Sequence, residues 1–505
     1  MNNRTNKTPA RVWSPFQNAV FAGIDAAVKA KEGDNLTVLA RAGSGKTSTI
    51  IEAINRLPRG VKALAVAFNK SIAVELKEKM PGSQESATLH SAGFKIVRRE
   101  YPKIRVDKDK AFDHAENVLR AAGRVDPRTF KPKRSEVFKV AKASQVARET
   151  LSLNPRDLQE LVFKLDLNRN GEDFPLEKFC EAVIATVDSM LTDTKRLDFS
   201  DMVFLPVHHG WKLPIYDLVI VDEAQDMNKA QLSLAQSLAK PNGTIVIVGD
   251  DMQAIYGFRG ADSGAIGRMT AELGAQVYPL SVSYRCPQAV IKLAQTVCPD
   301  IQPSPSAIEG SIRGIDISQV VKQAGPGDFI LSRTNAPLAS MCLSLLSHGI
   351  PAIIAGRDIG ARLANTVERS KTRTIGELLY WTEDYQEAEL LKLSSLNFRS
   401  EEARESKEQE IRDLVNCLHA LADGFRPSEP VSSLVDRIES LFSDADPMTK
   451  VICSTVHKAK GRERDRVFML DNTFRKNANK EEARIWYVAV TRAKRELVRV
   501  SSPKS

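Results

Sequence analysis

The chain has 505 residues, 42% of them hydrophobic and 27% charged, and a formal net charge of +9. That length suggests about three to five structural units, the proportions are those of an ordinary globular protein that buries its cores without staples, and the positive excess suits a polyanionic partner. No apolar run reaches about 18 residues, so no helix is expected to span a membrane, and the six scattered cysteines contain no Cys-x-x-Cys pair, which argues against a zinc site or disulfide framework and for a reducing compartment.

The first residues, MNNRTNKTPARVW, are polar and basic and do not read as a signal peptide. Short β-branched runs then alternate with helical patterns. LTVLA (36–40), ALAVAF (63–68), LVIVDE (218–223) and TIVIVGD (244–250) read as buried parallel strands. A second group holds QVYPL (276–280), DFILS (328–332), PAIIA (351–355), RVFML (466–470) and ELVRV (496–500). Such alternation predicts two α/β lobes with parallel sheets. A mostly helical, charged stretch interrupts each group. The expected division is a first lobe at 1–92 and 197–275 with a helical insertion at 93–196, and a second lobe at 276–365 and 448–505 with a small helical insertion at 366–447.

Residues 40–47 read ARAGSGKT between a predicted strand and a predicted helix, the context a phosphate-binding loop requires. Gly43 and Gly45 let backbone N–H groups wrap phosphates, Lys46 reaches the β and γ phosphates, and Thr47 offers a hydroxyl to Mg²⁺. The first position is Ala40 rather than glycine. In LVIVDEAQD (218–226) a buried strand delivers Asp222 and Glu223 to its carboxyl end, where α/β sheets bind ligands. Asp222 can hold Mg²⁺ through water, and Glu223 can polarise an attacking water.

These and further segments resemble superfamily 1A helicases of the UvrD/Rep/PcrA type, in order along nearly the whole chain. WSPFQNAV (13–20) resembles the Q motif, ALAVAFNKSIAVELKEKM (63–80) motif Ia, TLHSAG (88–93) motif Ib, and LDFSDM (197–202) the segment before motif II. VGDDMQAIYGFRGA (248–261), LSVSYRC (280–286), ILSRTN (330–335), STVHKAKGRERDRVFML (454–470) and EEARIWYVAVTRAKREL (481–497) resemble motifs III, IV, the following strand motif, V and VI. The FNKS wording is closest to the F-box DNA helicase branch, without an F-box. Phe258 stands where the family usually has Trp, and Arg462 where it commonly has Leu.

The resemblance implies two RecA-like lobes, ATP and Mg²⁺ as cofactors, and a DNA-stimulated ATPase that moves 3′→5′ on single-stranded DNA and separates strands at junctions. It implies nucleotide contacts from Ala42, Gly43, Ser44, Gly45, Lys46, Thr47 and Ser48, with Gln17 reading the adenine edge and Tyr284 stacking on adenine. Gln253 and Arg285 would meet the γ-phosphate, Gly461 and Glu463 would lie at the nucleotide, and Arg492 would be the arginine finger. For DNA it implies Phe68, His90, Tyr256 and Phe258 as stacking platforms, core packing being the alternative for the aromatic rings and helix capping for His90, and Arg259 toward the strand. Thr88, Ser91, Thr455, His457 and Lys458 would contact phosphates. Lys131, Lys133 and Arg134 form a basic stretch that either touches duplex or is a solvated face. A second reading is a regulatory ATPase that controls a partner nuclease, recombinase or replication protein with little unwinding. The expected location is the cytoplasm of a bacterial or phage-infected cell, with a nucleus as the alternative.

Overall fold

The computed structural model of the chain describes residues 12–67, 70–165, 167–168, 174–213, 215–255, 264–394, 401–445 and 447–501. They fall into two compact units. The first comprises 12–107, 194–251 and 264–284; the second comprises 108–193, 252–255 and 285–501.

The first unit is built on a six-stranded parallel sheet. Its strands are β1 (Leu36–Ala40), β2 (Ala63–Val66), β3 (Glu85–Ala87), β4 (Tyr216–Val221), β5 (Ala239–Gly249) and β6 (Gln276–Leu280), in the order β3-β2-β4-β5-β1-β6. β1 is flanked on both sides, with Val38 opposite Val248 and Tyr278. A strand covered on both faces is apolar throughout rather than alternating, which is why LTVLA was legible. Helix α1 (Pro15–Ala30) begins with a capping box in which Ser14 and Gln17 satisfy each other's backbone N–H groups. It buries Val20, Phe21, Ile24, Ala27 and Val28, a helical stripe, into the same core as β1. Each such large side chain contributes about 1.5–3 kcal/mol.

Two expectations are corrected here. QVYPL (276–280) is the edge strand β6 of the first sheet, paired with β1 from Leu36↔Gln276 to Ala40↔Leu280, so the first lobe continues past residue 275. The helical insertion begins later than residue 93. Helix Leu89–Glu100 belongs to the first unit, and Gly93 lets it cross closely over Phe199–His208, because a Cβ on Gly93 would lie 2.0 Å from the Met202 carbonyl oxygen. The chain leaves and returns through a short parallel ladder, Arg105↔Arg196 and Val106↔Leu197.

The insertion, 108–193, groups with the second unit. Its helices Lys110–Ala121, Arg134–Thr150, Pro155–Lys164 and Leu176–Leu191 enclose their own core of residues such as Leu119, Val140, Leu158, Phe179 and Val183. The remainder of the second unit carries a seven-stranded parallel sheet of β7 (Ser311–Asp316), β8 (Phe329–Ser332), β9 (Ala352–Ala355), β10 (Phe442–Ser443), β11 (Val451–Thr455), β12 (Arg464–Leu470) and β13 (Ala493–Ser501), in the order β7-β13-β12-β8-β11-β9-β10. The stretch 366–447 does not make a core of its own. Leu414, Cys417, Leu418 and Leu421 of helix Glu401–Ala422 lie in one hydrophobic cluster with Leu338, Leu345 and Ile354 of the lobe, and the stretch ends in a strand of the sheet. All six cysteines are buried, and none is in a disulfide. Among the described residues no helix is long and apolar enough to cross a membrane.

Candidate functional site

In the first unit the loop after β1 turns sharply into α2 (Lys46–Asn55). Gly43 and Gly45 have φ of 73° and 80°, a left-handed conformation that glycine adopts without strain. Gly45 is the N-cap of α2 and supplies no side chain to it, so the first-turn N–H groups of Lys46, Thr47 and Ser48 form a positive helix end suited to phosphate. The buried Ser44 hydroxyl has no hydrogen-bond partner among the described residues, and Ala42 is fully buried beside it. Ala40 needs no glycine freedom. It is the last residue of β1, paired with Leu280, and its methyl is buried in the sheet.

β4 ends beside this loop. Lys46 Nζ lies 2.8 Å from Glu223 Oε1. Burial opposes the Lys46 charge, but Glu223, Asp222 and Asp250 together outweigh it and hold the ammonium pKa above its usual value. Asp222 is 5% exposed. Burial and the neighbouring Glu223 push its carboxyl up to about 6, against the pull of Lys46 and the Glu223 N–H, which donates to Asp222 Oδ1 at 2.9 Å. The hydroxyl of Thr47 and the carboxylate of Asp222 are the donors a hard divalent cation accepts alongside phosphates and water. Among the described residues there is no cluster of three or more His, Cys, Asp or Glu that would hold a metal alone. The set fits Mg²⁺ delivered with a nucleotide.

Beside the loop stand Gln17 and Tyr284. Gln17 is buried, and its Nε2 donates to Thr49 Oγ1 of α2 at 3.0 Å. The Tyr284 hydroxyl donates to Gln17 Oε1 at 3.4 Å, the Tyr284 N–H donates to the Gly43 carbonyl at 2.8 Å, and the ring is 42% exposed. The Gln17 amide is thus engaged by Ser14, Thr49 and Tyr284, and the partly exposed Tyr284 ring is the face left open beside the loop.

Two supports were not singled out from the sequence. Gln225 is fully buried; its amide donates to the Glu223 carboxylate while its Oε1 accepts the Asp250 N–H at 3.1 Å. Glu223 itself has φ of 53°, rare for a non-glycine residue, so Gln225 holds a strained backbone position in register. Arg41 Nη1 bonds Asp250 at 3.2 Å and Asp251 at 2.5 Å, tying the loop to the end of β5. The polar residues following each apolar run, AQD and GDD, were the available signal.

In the second unit Arg285 pairs with Glu463, and Arg492 lies in their field. Arg492 is 1% exposed; its Nε donates to the Val488 carbonyl at 2.9 Å, Nη1 to the Arg462 carbonyl at 3.3 Å and Nη2 to Thr491 Oγ1 at 3.3 Å. Burial, then the nearby Arg285 charge, lowers its pKa to about 10, which leaves it a cation at neutral pH. These partners are neutral oxygens that fix the fork without neutralising it. Gly461, with φ of 82°, turns the chain before Glu463. Gln253 is buried in this unit, and its carbonyl accepts Lys460 Nζ at 2.8 Å.

The nucleic-acid candidates divide. Thr88 caps helix Leu89–Glu100 by accepting the Ser91 N–H at 3.2 Å, and His90 packs edge-on to Phe199 at 6.4 Å between centroids. The capping alternative thus belongs to Thr88, not His90. Phe199, 61% exposed at the head of its helix, is a further aromatic candidate; its exposure could not be read from LDFSDM, where it resembles core. Thr455 and His457 lie at a short helix after β11, with Thr455 buried as its N-cap. Lys458 Nζ lies 2.6 Å from Asp358 Oδ1 in a partly exposed ion pair. Phe68, Tyr256, Phe258 and Arg259 lie outside the described residues.

The family model of the UvrD/REP helicase N-terminal domain matches residues 23–273, and that of the UvrD-like helicase C-terminal domain matches 355–503. The chain is 26% identical over 310 residues to the ATP-dependent DNA helicase PcrA of Bacillus subtilis, covering 56% of this chain and 40% of that protein. It is 29% identical over 270 residues to PcrA of Staphylococcus aureus (47% and 34% covered) and 25% over 292 residues to DNA helicase II of Rickettsia typhi (52% and 42%). The chain thus spans about two-fifths or less of the length of the curated relatives it matches. With two parallel α/β sheets, a phosphate loop facing an Asp-Glu strand end and both domain models matched in order, the chain belongs to the UvrD/Rep/PcrA-like superfamily 1A helicases.

Proposed function

We propose that the chain is an ATP-dependent motor that moves 3′→5′ on single-stranded DNA and separates strands at single/double-strand junctions. The observation that carries this is the cluster of Lys46, Asp222 and Glu223 against the open end of α2, with Gln17 and Tyr284 beside it. ATP brings the reacting phosphoryl group; Thr47 and Asp222 would hold Mg²⁺, which would neutralise phosphate charge. Lys46 exchanges its Glu223 partner for the β and γ phosphates. Glu223, oriented by Gln225, then accepts a hydrogen bond from the attacking water. Arg285 and Arg492 supply fixed positive charge as negative charge develops on the γ-phosphoryl oxygens, with Gln253 sensing that phosphate. Thr88, Ser91, His90, Phe199, Thr455 and His457 contact the strand.

The test is ATP turnover with and without single-stranded DNA, beside strand displacement on 3′-tailed and 5′-tailed duplexes. Turnover should rise with DNA and vanish in Lys46→Ala, and Glu223→Gln should bind ATP without hydrolysing it. Unwinding should need the 3′ tail. Equal turnover with and without DNA would end the motor reading, and unwinding from the 5′ tail alone would reverse the polarity.

A further inference from the structure

The basic stretch of the helical insertion has no part in the site above. Between residues 128 and 142 it holds Arg128, Lys131, Lys133, Arg134, Lys139 and Lys142 and a single acid, Glu136. Glu136 is buried and its carboxylate is held by Arg124 at 3.0 and 3.1 Å, so between residues 128 and 142 the charges that reach the surface are positive, and the preceding Asp126 spends Oδ1 on the Arg128 N–H at 2.7 Å. Two large rings stand on this surface. Phe130 is 75% exposed and Phe138 66% exposed. Phe130 sits in a turn closed by Phe130 N–H to Asp126 O at 2.8 Å and Asp126 N–H to Lys131 O at 2.9 Å. Arg134, Phe138 and Lys142 follow at i, i+4 and i+8 along helix Arg134–Thr150, so they share one outward face. The opposite face supplies Val137, Val140, Ala143 and Ala147 to the insertion's core. The fold therefore uses neither ring for packing.

We propose that this face is a second contact for single-stranded nucleic acid, additional to the strand-binding residues above: the cations meet backbone phosphates while Phe130 and Phe138 stack on unpaired bases. The inference rests on the reading of the chain as a DNA motor. Charge complementarity alone would suit any polyanion. An intact duplex offers phosphates but keeps its base faces stacked internally, so two exposed rings set among cations select an unpaired strand. The contact is tolerant of sequence, because every base has a face to stack.

Fluorescence anisotropy with an oligo-dT strand and with a blunt duplex, across a salt series and on the full chain, tests this. Phe130→Ala with Phe138→Ala should weaken oligo-dT binding by about fivefold or more and leave the duplex unchanged. Phe130→Tyr with Phe138→Tyr keeps the stacking faces and should retain wild-type affinity, which separates lost stacking from a damaged fold. Lys131→Ala, Lys133→Ala and Arg134→Ala together should flatten the log–log salt slope for oligo-dT by about two. The proposal is overturned if the alanine pair binds oligo-dT like wild type, if it loses strand and duplex equally, if the tyrosine pair falls as far as the alanine pair, or if the salt slope is unmoved. Wild-type ATP turnover with DNA is read separately, so failure of the motor reading is distinguishable from failure of this contact.

Discussion

Gly93→Ala sets two known effects against each other. Gly93 lies inside helix Leu89–Glu100, where alanine is favoured over glycine by about 1 kcal/mol. The added Cβ would stand 2.0 Å from the Met202 carbonyl oxygen and 3.0 Å from its carbonyl carbon, with Leu234 Cδ2 at 3.1 Å closing another side. The obstacle is backbone of a neighbouring helix, so it cannot swing away; the two helices must separate by roughly 1 Å. Overpacking of this kind costs about 1–3 kcal/mol, occasionally more, and a backbone clash belongs at the upper end. The clash should win, for a net loss of about 1–2 kcal/mol. At roughly 2–4 °C per kcal/mol for a unit of this size, thermal melting should fall by several degrees. Thr88, His90 and Ser91 open the same helix and Phe199 opens the one it crosses, so affinity for single-stranded DNA should fall as well. A Gly93→Ala chain as stable as wild type, or more so, would show that helix propensity dominates and that the crossing is not close.

Asp222 gives a pH signature in the metal-free chain. Its folded pKa of about 6 lies above the ordinary 3.8, so between those values the folded chain holds a proton the unfolded chain has released, and stability falls as pH rises through that window. Asp222→Asn, whose amide oxygen still accepts the Glu223 N–H, should gain on wild type between pH 4 and 7 in the presence of EDTA; a pH-independent difference would refute this. Arg492→Ala should lower ATP hydrolysis by about 10³ or more while ATP affinity changes far less, and unaltered turnover would remove its assignment. Deleting residues 366–447 should abolish cooperative melting of the second unit, since Leu414, Cys417, Leu418 and Leu421 share the lobe's core; a soluble, cooperatively melting product would refute that.

The amino-acid sequence by itself determined the sheet class and most of the nucleotide site, for a physical reason. A strand buried on both faces must be apolar at successive positions, so LTVLA and LVIVD announce themselves, and a phosphate loop needs its glycines, lysine and hydroxyl adjacent along the chain. What depended on packing between distant segments was decided only by the tertiary structure. QVYPL reads the same beside either sheet; the register of Gln276–Leu280 on β1 assigns it to the first. Charged Glu401–Leu414 reads as a solvated helix, and its described side chains up to Arg412 stay exposed or half-buried; the continuation of the same helix, through Leu414, Cys417, Leu418 and Leu421, completes a core with Leu338 and Leu345. Gln225 gains its role from Asp250, which the next strand delivers, and Lys458 meets Asp358, a hundred residues away in the chain. Phe199, Phe130 and Phe138 carry the same lesson: composition counts an aromatic ring as core, and only the three-dimensional packing shows which rings the core leaves in water.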